Sequence, residues 1–303
     1  MHLPLPTKAP FSFHQTLAFV RRFPPCQGQF VVTDDSLTAA VTIGGRPTAF
    51  TIRGGASSGI SLEVERAVDA PALLARAAHL VGARDDLGEL YAAAEGDRHF
   101  RPLIEQLHGL HHVRFLTLEE VAVYSVMTQR TPIAMAARMK QKLFERIGLP
   151  VVARGTTLYA LPSIETLATL DGATYGDAIG HARKGDVIAE VVRGVARIGE
   201  KYLCEAPYEA AKAELLAIRG SGPFSAAMIL LRGLGRMDEV PLAQIFENEA
   251  RALYGDAYDE AAIRARYGRQ LGYWSFYLKT GVARTAERSV SHASTPRRRA
   301  TRR

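Results

Sequence analysis

A chain of 303 residues, 47% hydrophobic and 23% charged, has the make-up of a folded globular protein long enough for two compact units, which excludes a fibrous or wholly disordered chain. No stretch is long and apolar enough to read as a membrane span, and MHLPLPTKAP has neither the apolar run nor the cleavage site of a secretory signal, so a cytosolic protein is expected. The formal charge is +7, but residues 284–303 hold seven arginines against Glu287, a net +6, which leaves the preceding body close to neutral.

Residues 11–23 mix apolar positions up to Pro24-Pro25 and predict a short strand followed by a short helix. Residues 29–32, 38–43, 48–53 and 60–64 are β-rich runs separated by Asp34-Asp35, Gly44-Gly45 and Gly54-Gly55, the pattern of an antiparallel meander. Pro71 opens a helix with Leu73, Leu74, Ala77, Ala78 and Val81 at helical spacing, and 87–94 is a second short one. Two long helices follow, 118–129 and 133–147, joined at Gln129-Arg130-Thr131 and stopped by Gly148-Leu149-Pro150. Ser163 is an N-cap candidate, 178–199 is further helix, and Pro207 starts the helix that enters a glycine turn.

That turn, Gly220-Ser221-Gly222 with Pro223 after it, sits between helical stretches 213–218 and 224–231. Backbone N–H groups left at the start of the second helix suit an anion, although the GxG alone equally describes an ordinary helical hairpin. A helix from about Gln244 to Tyr254 and an aromatic-rich one at 271–278 close the structured part near Val282. The remainder lacks apolar periodicity and is expected to be a disordered basic tail. Cys26 and Cys204 are too far apart, and too few, for a disulfide framework or a zinc site. His108, His111 and His112 lack the carboxylate or cysteine partners of a metal centre.

The pattern L-x-x-I-x-G-x-G-x-x-S-A from Leu215 to Ala226, the LRGLGRMD run, Pro241, and the stretches FSFHQTLAFV and HGLHHVRFLTLEEVAVYSVMTQRTPIAMAARMKQKL resemble the helix-hairpin-helix DNA glycosylases, in their 3-methyladenine DNA glycosylase II branch. The resemblance spans about residues 9–283. It implies an α+β chain with a small antiparallel sheet domain and linking helices at 1–112, an all-α helix-hairpin-helix body at 113–283 and the tail at 284–303. It implies a monomeric, cytoplasmic, nucleoid-associated enzyme that flips alkylated purines out of duplex DNA and removes them. The lack of a C-terminal cysteine cluster matches the branch without an iron–sulfur centre.

The resemblance also assigns residues. An aspartate is expected three residues after Pro241, and this chain has Gln244, which keeps the reach and hydrogen bonding but not the charge that would steady an oxocarbenium-like sugar. Glu247, one turn on, is a surrogate carboxylate or simply a solvated glutamate, and Asp238 shapes the loop. Loss of that charge leaves a second reading open, a lesion-binding protein with weak or no excision. Phe224 stands where bifunctional relatives carry a lysine nucleophile, so no lyase step is expected. Phe19, Phe224 and Met228 fall at base-pocket positions, and Gln129, Arg130 and Thr131 at the turn that fills the gap left by the flipped nucleotide. The hairpin, Gly220, Ser221 and Gly222, would hold the DNA backbone, with Na⁺ or K⁺ on the carbonyls of Leu216, Ile218 and Ser221.

Overall fold

The computed structural model describes residues 1–54, 59–65, 69–240 and 243–293, without the side chains of 243–245 and 286–293. Strands β1 (His2–Leu5), β2 (Val31–Val32), β3 (Ser36–Ile43), β4 (Arg46–Gly54) and β5 (Ile60–Val64) form one antiparallel sheet in the order β1-β5-β4-β3-β2. Helices α1 (Phe13–Arg22) and α2 (Ala70–Leu80) cover it, and Leu17, Leu73 and Leu80 close a core with Leu37, Ile52 and Leu62. The expected short strand within 11–23 does not form. Ser12 accepts the Gln15 N–H instead, and this cap starts the helix at Phe13. The extra strand comes from His2–Leu5, paired with β5.

After α3 (Gly88–Glu95) and α4 (Arg101–Gln106), the chain enters α5 (Leu118–Met127), every residue of which is buried, and α6 (Ile133–Ile147). A helix buried all round is a central post rather than a surface element. A hairpin then intervenes that the glycine and proline at 148–150 concealed: β6 (Leu149–Ala153) and β7 (Thr156–Ala160) turn at Arg154 and Gly155, φ 49° and 74°, the paired left-handed conformation of a two-residue hairpin loop. Ala153, Leu158 and Ala160 pack on Ala40 of β3, joining the sheet to the helices.

The body continues as α7 (Ile164–Ala168), α8 (Gly172–Ile179), α9 (Ala182–Ile198), α10 (Glu200–Glu205), α11 (Tyr208–Ala217) and α12 (Pro223–Met228), with a π-turn over Ile229–Gly233, then α13 (Ala243–Tyr254), α14 (Glu260–Tyr267) and α15 (Leu271–Ala293). The last helix passes well beyond Val282, and Arg284 within it donates to Gln15 of α1, so the expected tail begins as helix; residues 294–303 lie outside the described residues. Helices α3 and α4 share a core with α13–α15. At its centre the buried Asp97 carboxylate accepts from Tyr254 at 2.7 Å and Tyr267 at 2.9 Å, and also from the N–H groups of His99 and Phe100. No described helix is long and apolar enough to cross a membrane.

One buried cation pins the N-terminal part to the body. Lys140 of α6, 1% exposed, pairs with Glu120 of α5 at 2.5 Å and donates to the Pro25 carbonyl at 2.8 Å, while Glu120 also accepts the Leu116 N–H. Removing one member of a buried pair strands the other charge. Lys140→Met is therefore expected to cost about 3–5 kcal/mol in urea unfolding, and adding Glu120→Gln, which removes the stranded charge, to recover much of that loss.

Candidate functional site

Two concavities meet at the C-terminal end of α5. The first is a mostly apolar cleft of about 560 Å³, within the range of ligand sites. Its walls come from four places: Phe19 and Phe23 with Pro24-Pro25, Phe115 with Tyr124, Phe224 with Met228, and Phe246 with Phe276. Phe19 stacks on Phe23 at 5.2 Å and meets the edge of Phe276 at 5.0 Å. The three expected pocket residues Phe19, Phe224 and Met228, more than 200 positions apart in sequence at the extremes, thus share one cleft.

The second is an open groove of about 1050 Å³ lined by Gln129, Arg130, Thr131, His181, Arg183, Lys184 and the hairpin from Gly220 to Ser225. It shares Thr128, Thr131 and Phe224 with the cleft, so the two communicate. The turn is held rigidly. Lys184 donates to the Val126 and Gln129 carbonyls at 3.0 and 2.8 Å, neutralising the C-terminal end of α5. Gln129 donates to the Gly220 carbonyl and the Ser225 hydroxyl, both at 2.9 Å, so its amide nitrogen bridges turn and hairpin. Between these anchors the exposed Arg130 sits at φ 50°, a left-handed conformation uncommon outside glycine. Lys184, which fixes the turn, gave no signal in sequence because a lysine in the first turn of a helix reads as a solvated one.

In the hairpin, Gly220 has φ 87°, and a Cβ there would lie 2.6 Å from Val187. Gly222 is extended, φ −93° and ψ −179°, with nothing within 4 Å of an added Cβ. The Gly222, Phe224 and Ser225 N–H groups, orphans at the start of α12, have no partner among the described residues, whereas the Ser221 N–H is spent on the Ile218 carbonyl at 3.0 Å. That leaves one Ile218 lone pair, and the Leu216 and Ser221 carbonyls accept no backbone hydrogen bond among the described residues.

The expected acid positions fare differently. Gln244 lies in the first turn of α13, its side chain outside the described residues, as is Pro241. Glu247 does not reach the cleft: it faces Tyr258, Ile263 and Trp274 on the other side of α13, with its carboxylate held by Arg251 at 2.8 Å. Its carboxylate is thus engaged away from the cleft, as in the solvated-glutamate reading. Asp238 pairs with Arg236 at 3.4 Å, as a loop-shaping residue would. His111 and His112 are buried, His111 between the Gly82 and Pro10 carbonyls, and no group of metal-binding side chains occurs among the described residues.

No family model matches the chain. A Mycobacterium tuberculosis protein described as a probable bifunctional transcriptional activator/DNA repair enzyme AlkA is 29% identical over 177 residues, 56% of this chain and 34% of that protein. A DNA-3-methyladenine glycosylase of Bacillus subtilis is 25% identical over 152 residues, half of each chain. The match thus spans a third to a half of these curated relatives. The solved 3-methyladenine DNA-glycosylase of Archaeoglobus fulgidus superposes with a TM-score of 0.74 at 21% identity, over 92% of this chain and 96% of that one.

The two hairpin glycines differ in what they tolerate. Gly220→Ala is expected to destabilise by about 1–3 kcal/mol, through the left-handed backbone and the Val187 contact, while Gly222→Ala leaves the thermal midpoint nearly unchanged.

Proposed function

We propose that this chain, a member of the helix-hairpin-helix DNA glycosylase family, is a monofunctional enzyme that removes alkylated purines from duplex DNA. The observation that carries the reading is the junction of the two concavities. A groove with free N–H groups and the cations Arg130, Arg183 and Lys184 opens, at Phe224, Thr128 and Thr131, into an aromatic cleft of the size of a ligand site. A nucleotide turned out of a duplex lying along the groove would enter the cleft there, and Arg130, on its left-handed turn, would occupy the vacated space. The guanidinium can both stack on bases and donate hydrogen bonds, which suits that task.

The backbone phosphates would be held by the Gly222, Phe224 and Ser225 N–H groups. Na⁺ or K⁺ on the Leu216, Ile218 and Ser221 carbonyls would add positive charge there when bound. Chemistry at the sugar needs stabilisation of a developing cation and a placed water. Gln244 can orient the water through its amide but supplies no charge. Phe224 in place of an amine nucleophile supports hydrolysis without strand cleavage.

The test is release of free base from methylated duplex DNA. Gln244→Asp is expected to raise the rate by about 10²–10³-fold, the usual worth of one such electrostatic contact, with Glu247→Gln unchanged. A wild type that releases base and responds to neither change would place the chemistry elsewhere. Separately, Gly222→Asp is expected to lower duplex affinity by about tenfold or more, because a carboxylate then faces the phosphate, and the folded Gly222→Ala is the control. Unchanged affinity in a folded Gly222→Asp protein would remove the hairpin from the DNA interface.

A further inference from the structure

We propose that Arg232, with Tyr124 lining the same cleft, is its specificity-determining group, and that it selects neutral purines presenting a carbonyl or ring-nitrogen acceptor over cationic ones. The proposal rests on the excision reading above and concerns which damaged purines, alkylated or not, the same site takes. Among the described residues no aspartate or glutamate lines the cleft, whereas Arg232 does, and no described carboxylate pairs with it. A cationic base therefore meets the like charge of Arg232 there.

Arg232 is placed to act on a base rather than on the DNA backbone. It follows Phe224 and Met228 along one continuous stretch of helix, and all three line the cleft. Its guanidinium lies over the rings of Phe23 at 4.7 Å, Phe19 at 5.5 Å and Phe276 at 5.8 Å. Its Nη1 donates to His112 Nε2 at 3.0 Å, and no described carboxylate pairs with it. His112 is held neutral by burial, with the Arg232 and Arg114 charges adding to the effect, and can accept that bond without neutralising the arginine. Burial lowers the Arg232 guanidinium only to about 10, so it remains cationic at neutral pH. The rest of its donor fork is left for a ligand.

Tyr124 is the independent pointer. It is 2% exposed and lines the cleft, yet its hydroxyl has no hydrogen-bond partner. Buried hydroxyls are rarely left so, and an acceptor entering the cleft would satisfy it together with the arginine.

The same arrangement bears on the reaction. When the C1′–N9 bond breaks, both electrons go to the base and a water oxygen bonds to C1′; the water's proton ends on a base that left as an anion, and passes to solvent where a cationic base left neutral. A neutral base leaves as an anion, which a fixed guanidinium at its acceptor edge stabilises without giving up a proton. A cationic base leaves neutral and gains nothing. Electrostatic help is thus supplied from the base side, where Gln244 withholds it from the sugar side.

The experiment compares duplexes carrying hypoxanthine, neutral with a carbonyl, and 3-methyladenine, cationic without one, for the wild type, Arg232→Met and Tyr124→Phe. Arg232→Met is expected to lower hypoxanthine release by about 10²-fold and 3-methyladenine release by far less, and Tyr124→Phe, which keeps the shape, to lower hypoxanthine release by about tenfold. Equal effects on both bases, or none on either, in folded protein would overturn the assignment while leaving the excision reading standing. If Arg232→Met does not fold, Tyr124→Phe decides alone. A wild type that releases neither base overturns the excision reading. Affinity for a duplex with an uncleavable 2′-fluoro-deoxyinosine then decides: tighter than plain duplex and lost in the variants supports Arg232 recognition, and no preference overturns it too.

Discussion

Lys140 holds a full side chain out of water, and the rest of the site depends on how that charge is satisfied. Glu120 answers it from the neighbouring helix, the Pro25 carbonyl from the N-terminal part, and the rings of Phe115, Tyr124 and Phe144 surround it at 5.2, 5.8 and 5.4 Å. A buried pair of this kind adds little stability over apolar packing, but it tolerates few arrangements. What it specifies is the seat of Pro24-Pro25 against α5 and α6. Phe19 and Phe23 precede those prolines, and Phe115 and Tyr124 touch the lysine itself, so two walls of the cleft are set by one ammonium group.

The other walls follow from the continuity of α12. One stretch carries Gly222 at the groove, Phe224 at the junction, and Met228 and Arg232 in the cleft, with Arg232 itself inside the π-turn over Ile229–Gly233. Such a turn changes the angle at which later side chains leave the helix. The rigid bracing is at the other end, where Gln129 and Lys184 tie the α5 terminus to the hairpin and to α9. An anchored hairpin and an anchored turn keep the cleft mouth at a fixed distance from the phosphate-facing N–H groups.

The sequence was legible where a local signal and the tertiary result agreed. Strands β3 to β5 alternate between turn signals, and the Gly220-Ser221-Gly222 hairpin needs glycine at φ 87°, so both could be read directly. Strand β1 could not: four residues including a proline carry no pattern, and only pairing with β5 makes them a strand. Helix α15 was cut short at Val282 because its later residues lose apolar periodicity, although Arg284 reaches Gln15. Resemblance points to Phe19, Phe224 and Met228, which line one cleft, while Arg232, within LRGLGRMD, lines the same cleft without a local signal. An arginine after an apolar helix reads as surface, and nothing local says that three aromatic rings enclose it. Gln244 is the reverse case, plain in the sequence and beyond the described side chains.

Charge shows why composition alone misleads here. Nearly all the net positive charge lies in residues 284–303, which would draw any polyanion without discrimination. The charges that could distinguish one DNA state from another are few and local: Arg130, Arg183 and Lys184 at the groove and Arg232 in the cleft. Their effect rests on surroundings rather than number. At the groove they act beside water and salt, where a charge serves attraction and weakens as ionic strength rises. In the cleft the walls are aromatic, the nearest thiol, Cys26, is pushed up to about 12 by burial and stays neutral, and no carboxylate shares the space among the described residues. One guanidinium there outweighs many on the tail for the question of which base is held, because a low-dielectric wall leaves its field unscreened.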